Sequence, residues 1–428
     1  MRYRPLINFN IPCANHKFHE AQRWFVAMVA FLFPLGVLWI DEWGNALLVL
    51  ASMVGLIGII LPGDRGIHGN DQGIGAALGI GVAAYLGIAL LSFLMTGFSD
   101  AGWHLLGRYA RLAGAWLIFI SVRRLSVPSV YFGAGLCVGS IIGGAGALWQ
   151  SYHPHDLIGR VHGITHPILF GDVSLVLAFM GAVWVLSLKN LKQWRGLCSG
   201  LVLTGGMLAS ALSGSRGSWL ALSALGGLWL WQLVRCETKT NLLPAALIIT
   251  AIGLGLLAWP QSSVRDRFST TWQEWSSFRF NKEPEGSMAT RFYLWRSASL
   301  MWRESPVVGV GMGQYPHALH DQVDQGRAPE ILLQWDHPHS EYFSVLATRG
   351  FLGLGSVLAL LMLPAWKQWR LCIRDGPDNW AAMAGVMLIV GYAFFCLTET
   401  MFDRGFAVTA FAFLLGMSAA LATPGEGA

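Results

Sequence analysis

Two histidines, His337 and His339, flank Pro338 in the stretch W-D-H-P-H-S-E-Y-F-S-V-L-A-T-R-G-F-L-G, residues 335–353. Proline fixes its own φ at about −65° and biases the preceding residue towards an extended backbone. In an extended chain, side chains two residues apart share a face, so the spacing predicts two imidazoles offered together. Histidine exchanges a proton near neutral pH. The pair therefore suits a proton-accepting site, and it equally suits a polar cap on the apolar helix that follows.

A second group of residues suits anions. Arg216 stands in S-G-S-R-G-S-W, a very short turn between two apolar runs. Its glycines let the backbone approach a ligand, and a guanidinium fork matches two phosphate oxygens. An arginine snorkelling to lipid head groups is the other reading of that position. Arg160 lies in H-P-H-D-L-I-G-R-V-H-G-I-T-H-P, among His153, His155, His162 and His166. Arg291 opens a helical pattern, Arg265 and Arg267 open a long polar segment, and Glu399 and Asp403 sit in the last short turn. His104, Arg108 and Arg111 share one helix face by their spacing of four and three. They suit a further phosphate contact or lipid snorkelling.

The elements that must position these residues are membrane spans. Of the 428 residues, 54% are hydrophobic and 12% charged, whereas a soluble chain carries about a quarter charged residues. Apolar runs fall at 22–40, 45–62, 74–97, 103–122, 129–149, 168–188, 197–213, 218–235, 243–260, 350–366, 379–398 and 404–422, close to the length a bilayer requires. They predict an all-α polytopic membrane protein of twelve helices. The first run reads as a span rather than a cleaved signal. Three parts follow: 1–260 with helices 1–9, a helical extracytoplasmic segment at 261–345, and 346–428 with helices 10–12. The net charge of +5 is spread along loops, which argues against a nucleic-acid partner. The six cysteines avoid the polar segment 261–337, which argues against a disulfide framework.

Lysine and arginine set the orientation. With the N-terminus inside, Arg123, Arg124, Lys189, Arg195, Arg235, Lys367, Arg370 and Arg374 all fall on the cytoplasmic side. The short loops opposite hold only Arg160, Arg216 and Arg404. Both termini are then cytoplasmic, and the long polar segment is outside. Within it, Met288–Glu304 repeats Phe292, Trp295, Ser299 and Trp302 against Arg291, Arg296 and Arg303. That pattern predicts an amphipathic helix lying on the membrane or roofing the bundle. The following V-G-V-G-M-G-Q-Y reads as a flexible turn. No strand precedes it, so it is no nucleotide loop.

H-S-x9-G-F-L-G, from His339 through Gly350 to Gly353, resembles the motif of the bacterial O-antigen ligase family. Its superfamily also holds O-antigen polymerases and protein O-oligosaccharyltransferases. R-G-S-W-L at 216–220 looks like the family's R-x3-L element. R-F-Y-L-W at 291–295, with the P-V-V-G-V-G-M-G that follows, resembles the superfamily's pattern before its histidine. The loop around Arg160 is similar to an extracytoplasmic element, with His166 where Asn is common.

The resemblance implies glycosyl transfer at the outer face of the bacterial inner membrane. A polysaccharide on undecaprenyl diphosphate would pass to a sugar hydroxyl of the lipid A core. His339 would act as general base, oriented by His337, Asp336 or Asp403. Arg216, Arg291, Arg160 and Arg265 would neutralise the diphosphate. A single displacement would invert the anomeric centre. No D-x-D element is present, so neither a metal nor any other cofactor is expected, although the two H-P-H segments offer ligands a zinc ion would accept. Polymerase or protein oligosaccharyltransferase activity remains the nearest alternative. A lipid-linked sugar transporter would carry polar residues at mid-span and two related halves, and neither pattern is found.

Overall fold

The computed structural model describes residues 12–60, 69–153, 160–191, 193–236 and 286–423. Among them the fold is all helical. The helices are α1 (Pro12–Gly36), α2 (Trp43–Ile60), α3 (Gly69–Met95), α4 (Asp100–Ala110), α5 (Ala113–Leu125), α6 (Ser129–Tyr152), α7 (Pro167–Ser187), α8 (Arg195–Ser213) and α9 (Arg216–Cys236). They continue with α10 (Ser287–Glu304), α11 (Tyr315–Asp324), α12 (Glu341–Asp375), α13 (Trp380–Phe395) and α14 (Gly405–Leu421). Eight of these segments are long and apolar enough to cross a bilayer, and α13 and α14 are shorter apolar helices. The chain is a multi-pass membrane protein. The run at 243–260, expected as a ninth span, lies outside the described residues.

α7 is the axis of the bundle. Nearly all of its residues are buried, because α6, α8, α9 and α13 pack around it. The Gly/Ser-rich runs allow this closeness: a Cβ on Gly144 of α6 would stand 2.6 Å from the Gly205 backbone of α8. Small residues let membrane helices touch along their backbones. The fourth expected span, 103–122, is two helices instead of one. The backbone tightens to i→i+3 bonds at Leu112, Gly114 and Ala115, and the pair still reads as one span, Asp100–Leu125.

The described part of the polar segment folds on a small core of its own, with Tyr293, Leu294, Ala298, Met301, Tyr315, Leu319 and Leu332 meeting Ala347 of α12. α10 thus buries a different face from the one its pattern suggested. Tyr293, Leu294, Ser297, Ala298 and Met301 point inward, while Phe292, Trp295, Ser299 and Trp302 are only half-buried. Ser297 and Ala298 lie within the packed face, where Gln322 Nε2 donates to Ser297 O at 3.1 Å. The bulky aromatics flank it.

The glycine-rich stretch after α10 is no flexible turn. It is a strap laid into a break in α12. Gly350 interrupts that helix at φ 61°, ψ −153°, freeing carbonyls before it and N–H groups after it. The strap takes both sets. Val310 N donates to Ala347 O (2.8 Å) and Gly311 N to Thr348 O (2.9 Å). Phe351 N and Leu352 N donate to Pro306 O (2.8 Å) and Val307 O (3.3 Å). Gly309 faces Arg349 so closely that a Cβ would lie 2.4 Å from Arg349 N.

Candidate active site

The end of the bundle where α12 begins collects several loops. Ile164 N donates to Leu38 O (3.3 Å), Arg108 Nη1 to Asp403 O (2.8 Å), and Gly217 packs on Thr398. The start of α12 is docked onto the end of α13, where Glu341 N donates to Cys396 O (2.9 Å) and Glu399 O (3.2 Å). From the other side Trp295 of α10 donates through Nε1 to Pro338 O (2.9 Å) and stacks on Phe343 at 5.2 Å. The H-P-H segment is therefore gripped by two elements distant in sequence.

That grip holds His339 at φ 50°, a left-handed conformation that costs a non-glycine residue energy and gathers at functional sites. The extended alternation expected from the sequence is absent. The two imidazoles nevertheless meet, with ring centroids 4.3 Å apart. Between them lies the carboxylate of Glu399, only 2% exposed. Its Oε1 is 3.2 Å from His337 Nε2, and its Oε2 is 3.4 Å from His339 Nδ1. His337 Nδ1 also bonds Asp336. His339 Nε2 has no hydrogen-bond partner among the described residues.

These contacts divide the two histidines. Burial opposes the charge on His337, but hydrogen bonds to Asp336 and Glu399 outweigh it and push its pKa up to about 9. His339 is pushed below the ordinary histidine value, since burial and the charge of His337 outweigh the pull of Glu399, and Arg291 adds to the lowering. Despite its burial, Glu399 is held well below the usual carboxylate range by both histidines and Arg404. Asp336 falls to about 2, chiefly through its bond to His337. Near neutral pH the pair is one imidazolium and one free base.

The other expected residues fall as follows. Asp403 does not orient a histidine. Its carboxylate accepts from Tyr109 Oη at 2.5 Å, and the acid that touches both imidazoles is Glu399, four residues earlier. Below that turn, Glu341 Oε2 accepts from Phe402 N (3.1 Å), and Glu341 Oε1 lies near Tyr85 Oη (3.4 Å) and Arg349 Nη2 (3.8 Å). The Arg349 guanidinium rests over the rings of Tyr85 and Tyr109 at 4.9 and 5.1 Å. This buried network fixes the turn that carries Glu399. A charged pair inside an apolar helix was its sequence signal.

Arg160 reaches the turn before α9, donating to Ser213 O (2.8 Å) and Gly214 O (3.2 Å). Arg216 is the first residue of α9. The serines around it, Ser215 and Ser218, donate to buried Asp172 Oδ1 at 2.8 and 2.6 Å, a residue the sequence pattern did not single out. Arg265 lies outside the described residues. His337, His339 and Glu399 each offer a ligand atom within 4.8 Å of one another, a donor set zinc accepts. Arg404 contests that use, because its Nη2 stands 3.0 Å from His337 Nε2 and 3.4 Å from Glu399 Oε1. The guanidinium competes with an ion for Glu399 Oε1.

Residues 199–358 match the family described as O-antigen ligase. The chain thus contains a stretch similar to the O-antigen ligase domain, over less than half of its length. That stretch takes in Arg216, Arg291, both histidines and the Gly350 break, and it stops before Glu399. A protein of Haemophilus influenzae, itself uncharacterized, is 26% identical over 239 residues; the match covers 55% of this chain and 60% of that relative's length. The stretch similar to that family thus supplies the histidines and the strap, and the turn after α13 supplies the buried acid.

Proposed function

We propose that the protein is an inverting membrane glycosyltransferase. It moves an O-antigen polysaccharide from undecaprenyl diphosphate to a sugar hydroxyl of the lipid A core, at the periplasmic face of the inner membrane. The observation that carries this reading is the Glu399-bridged pair, in which burial leaves His339 neutral beside a cationic His337. In the reactive tautomer, His339 Nδ1–H donates to Glu399 Oε2 and Nε2 carries the lone pair. The acceptor hydroxyl gives its proton to Nε2 as its oxygen attacks the anomeric carbon. The bond from that carbon to the phosphate oxygen breaks with inversion, and the electron pair leaves on the diphosphate. Arg216 and Arg291, with Arg160 bracing the turn before α9, neutralise that charge. Arg265 belongs to the same outer segment and is assigned the same task.

The deciding experiment incubates purified protein and lipid-linked glycan with lipid A core, with a second lipid-linked glycan, or with a serine- and threonine-bearing peptide. Glycan on the lipid A core alone supports the ligase reading. Product on another acceptor replaces it with polymerase or protein transfer. The reaction also runs without a divalent ion in this reading, since arginines supply the charge. EDTA treatment should leave the rate unchanged. Loss on chelation with recovery on added zinc or magnesium would make His337, His339 and Glu399 a ligand set.

A further inference from the structure

Beside the histidine pair lies a cavity of about 450 Å³, bounded by the α1–α2 turn, the α4–α5 junction, residues 164–169 and the start of α14. Its size lies within the range of small-ligand sites, roughly 300–1,000 Å³. Three arginines line it: Arg108, Arg111 and Arg404. Arg108 donates to the Asp403 carbonyl (2.8 Å) and Arg111 to Thr409 Oγ1 (3.2 Å). Neither makes an ion pair with a carboxylate among the described residues. Each guanidinium has five N–H donors, so most of them remain for another partner.

The arginines are built in rather than trailing into lipid. Thr409 Oγ1 in turn donates to Asn45 Oδ1 at 2.6 Å. Gly405 leaves the space that Arg111 fills, since a Cβ there would stand 2.7 Å from Arg111 Nη1. Three acids share the lining. Asp403 is taken by Tyr109. Asp41 and Glu42 are exposed; Glu42 accepts from Asn45 Nδ2 at 2.6 Å and attracts Arg111 without pairing with it, and sugar hydroxyls can donate to either acid.

We propose that this cavity is a subsite for an anionic saccharide, holding a phosphate group of the acceptor glycan on Arg108 and Arg111. The assignment rests on the glycosyl-transfer reading, in which Arg291 and Arg216 serve the donor diphosphate. Arg291 acts on His339. This cavity adjoins the pair through Arg404, which touches His337 and Glu399. The acceptor would lie in the cavity with a free hydroxyl directed to the base. Bidentate guanidinium–phosphate bonds give both strength and orientation.

Binding is read by saturation-transfer NMR on the detergent-purified full chain, with hexose 6-phosphate against the parent hexose as probes. A phosphate-dependent signal is expected in the native protein and in His339→Ala, and its loss in Arg111→Ala. No phosphate-dependent signal in the native protein overturns the proposal, leaving the arginines as braces between helices. Kinetics then assign the source. Arg111→Ala should raise the KM of a phosphorylated acceptor about ten-fold or more, the loss of a charge-assisted bond, and phosphatase treatment of the acceptor should erase the difference. An equal rise in donor KM would overturn the acceptor assignment and give the cavity to the lipid diphosphate. If no transfer is found at all, the glycosyltransferase reading fails while the NMR comparison still decides the anion site.

Discussion

Glu399 touches both imidazoles while almost sealed from water, and this sets how the pair should titrate. A base must be neutral, so activity should fall only when pH drops through the lowered pKa of His339, on the acid side of the ordinary histidine range. His337 has the opposite sign. Its raised pKa means that the stability contributed by its cationic form, with its bond to Glu399, is full below about 6.5 and is lost as pH rises through about 9. A pH–rate profile should therefore show a plateau between the two limbs; an acidic limb lying above the ordinary histidine value would remove His339 from the role. His339→Ala should cost roughly 10²–10⁴-fold in turnover, the usual worth of general-base help. Glu399→Gln should cost roughly 10²-fold or more, as loss of an orienting carboxylate does, and should move the alkaline limb to lower pH. Unchanged limbs in that variant would mean Glu399 only packs the turn. The meeting of the two histidines was legible because Pro338 between them restricts the chain. Glu399 and Asp403 were not separable, because the short helical turn Met401–Asp403 decides which acid faces inward.

At the scale of elements, the Gly350 break is the feature to test. It requires a positive φ, and a Cβ would lie 2.4 Å from the Val307 carbonyl. Gly350→Ala should lower the thermal stability of the detergent-purified protein, by at least the 1–2 kcal/mol, roughly, of a left-handed L-residue. Gly355, one turn on in the same helix with open space around it, is the control. Gly355→Ala should be neutral or slightly stabilising, because alanine suits a helix interior better. Equal effects would mean that the strap contributes nothing. Spans were readable from apolar length, because a bilayer imposes it. The strap was not, because its bonds are backbone to backbone and leave only the glycines as a trace.

Across the described residues, loops that the sequence places on one side of the membrane meet at one end of the bundle. Opposite the histidines, Lys189 pairs with Asp378 (3.5 Å), Arg123 Nη1 donates to Thr423 O (2.6 Å) and Gln232 Nε2 to Pro377 O (2.8 Å). That end would face the cytoplasm. Cysteines introduced as Asp324→Cys and Asp378→Cys should label from opposite sides. An impermeant thiol reagent applied to the periplasmic side should reach the first alone. Labelling of both from one side would overturn the orientation and the proposed periplasmic site with it.

The strap also governs how the protein can be recombined with its relatives. Residues 306–311 complete the hydrogen bonding of α12 at 347–352, so neither segment carries its own bonding when moved alone. An outer segment grafted from a relative to change acceptor choice must bring its own strap together with its own helix break. Junctions placed before Ser287 and after Gly353 keep that joint whole. A junction between Gln314 and Glu341 would divide it, so that the strap of one protein would have to fit the helix break of the other.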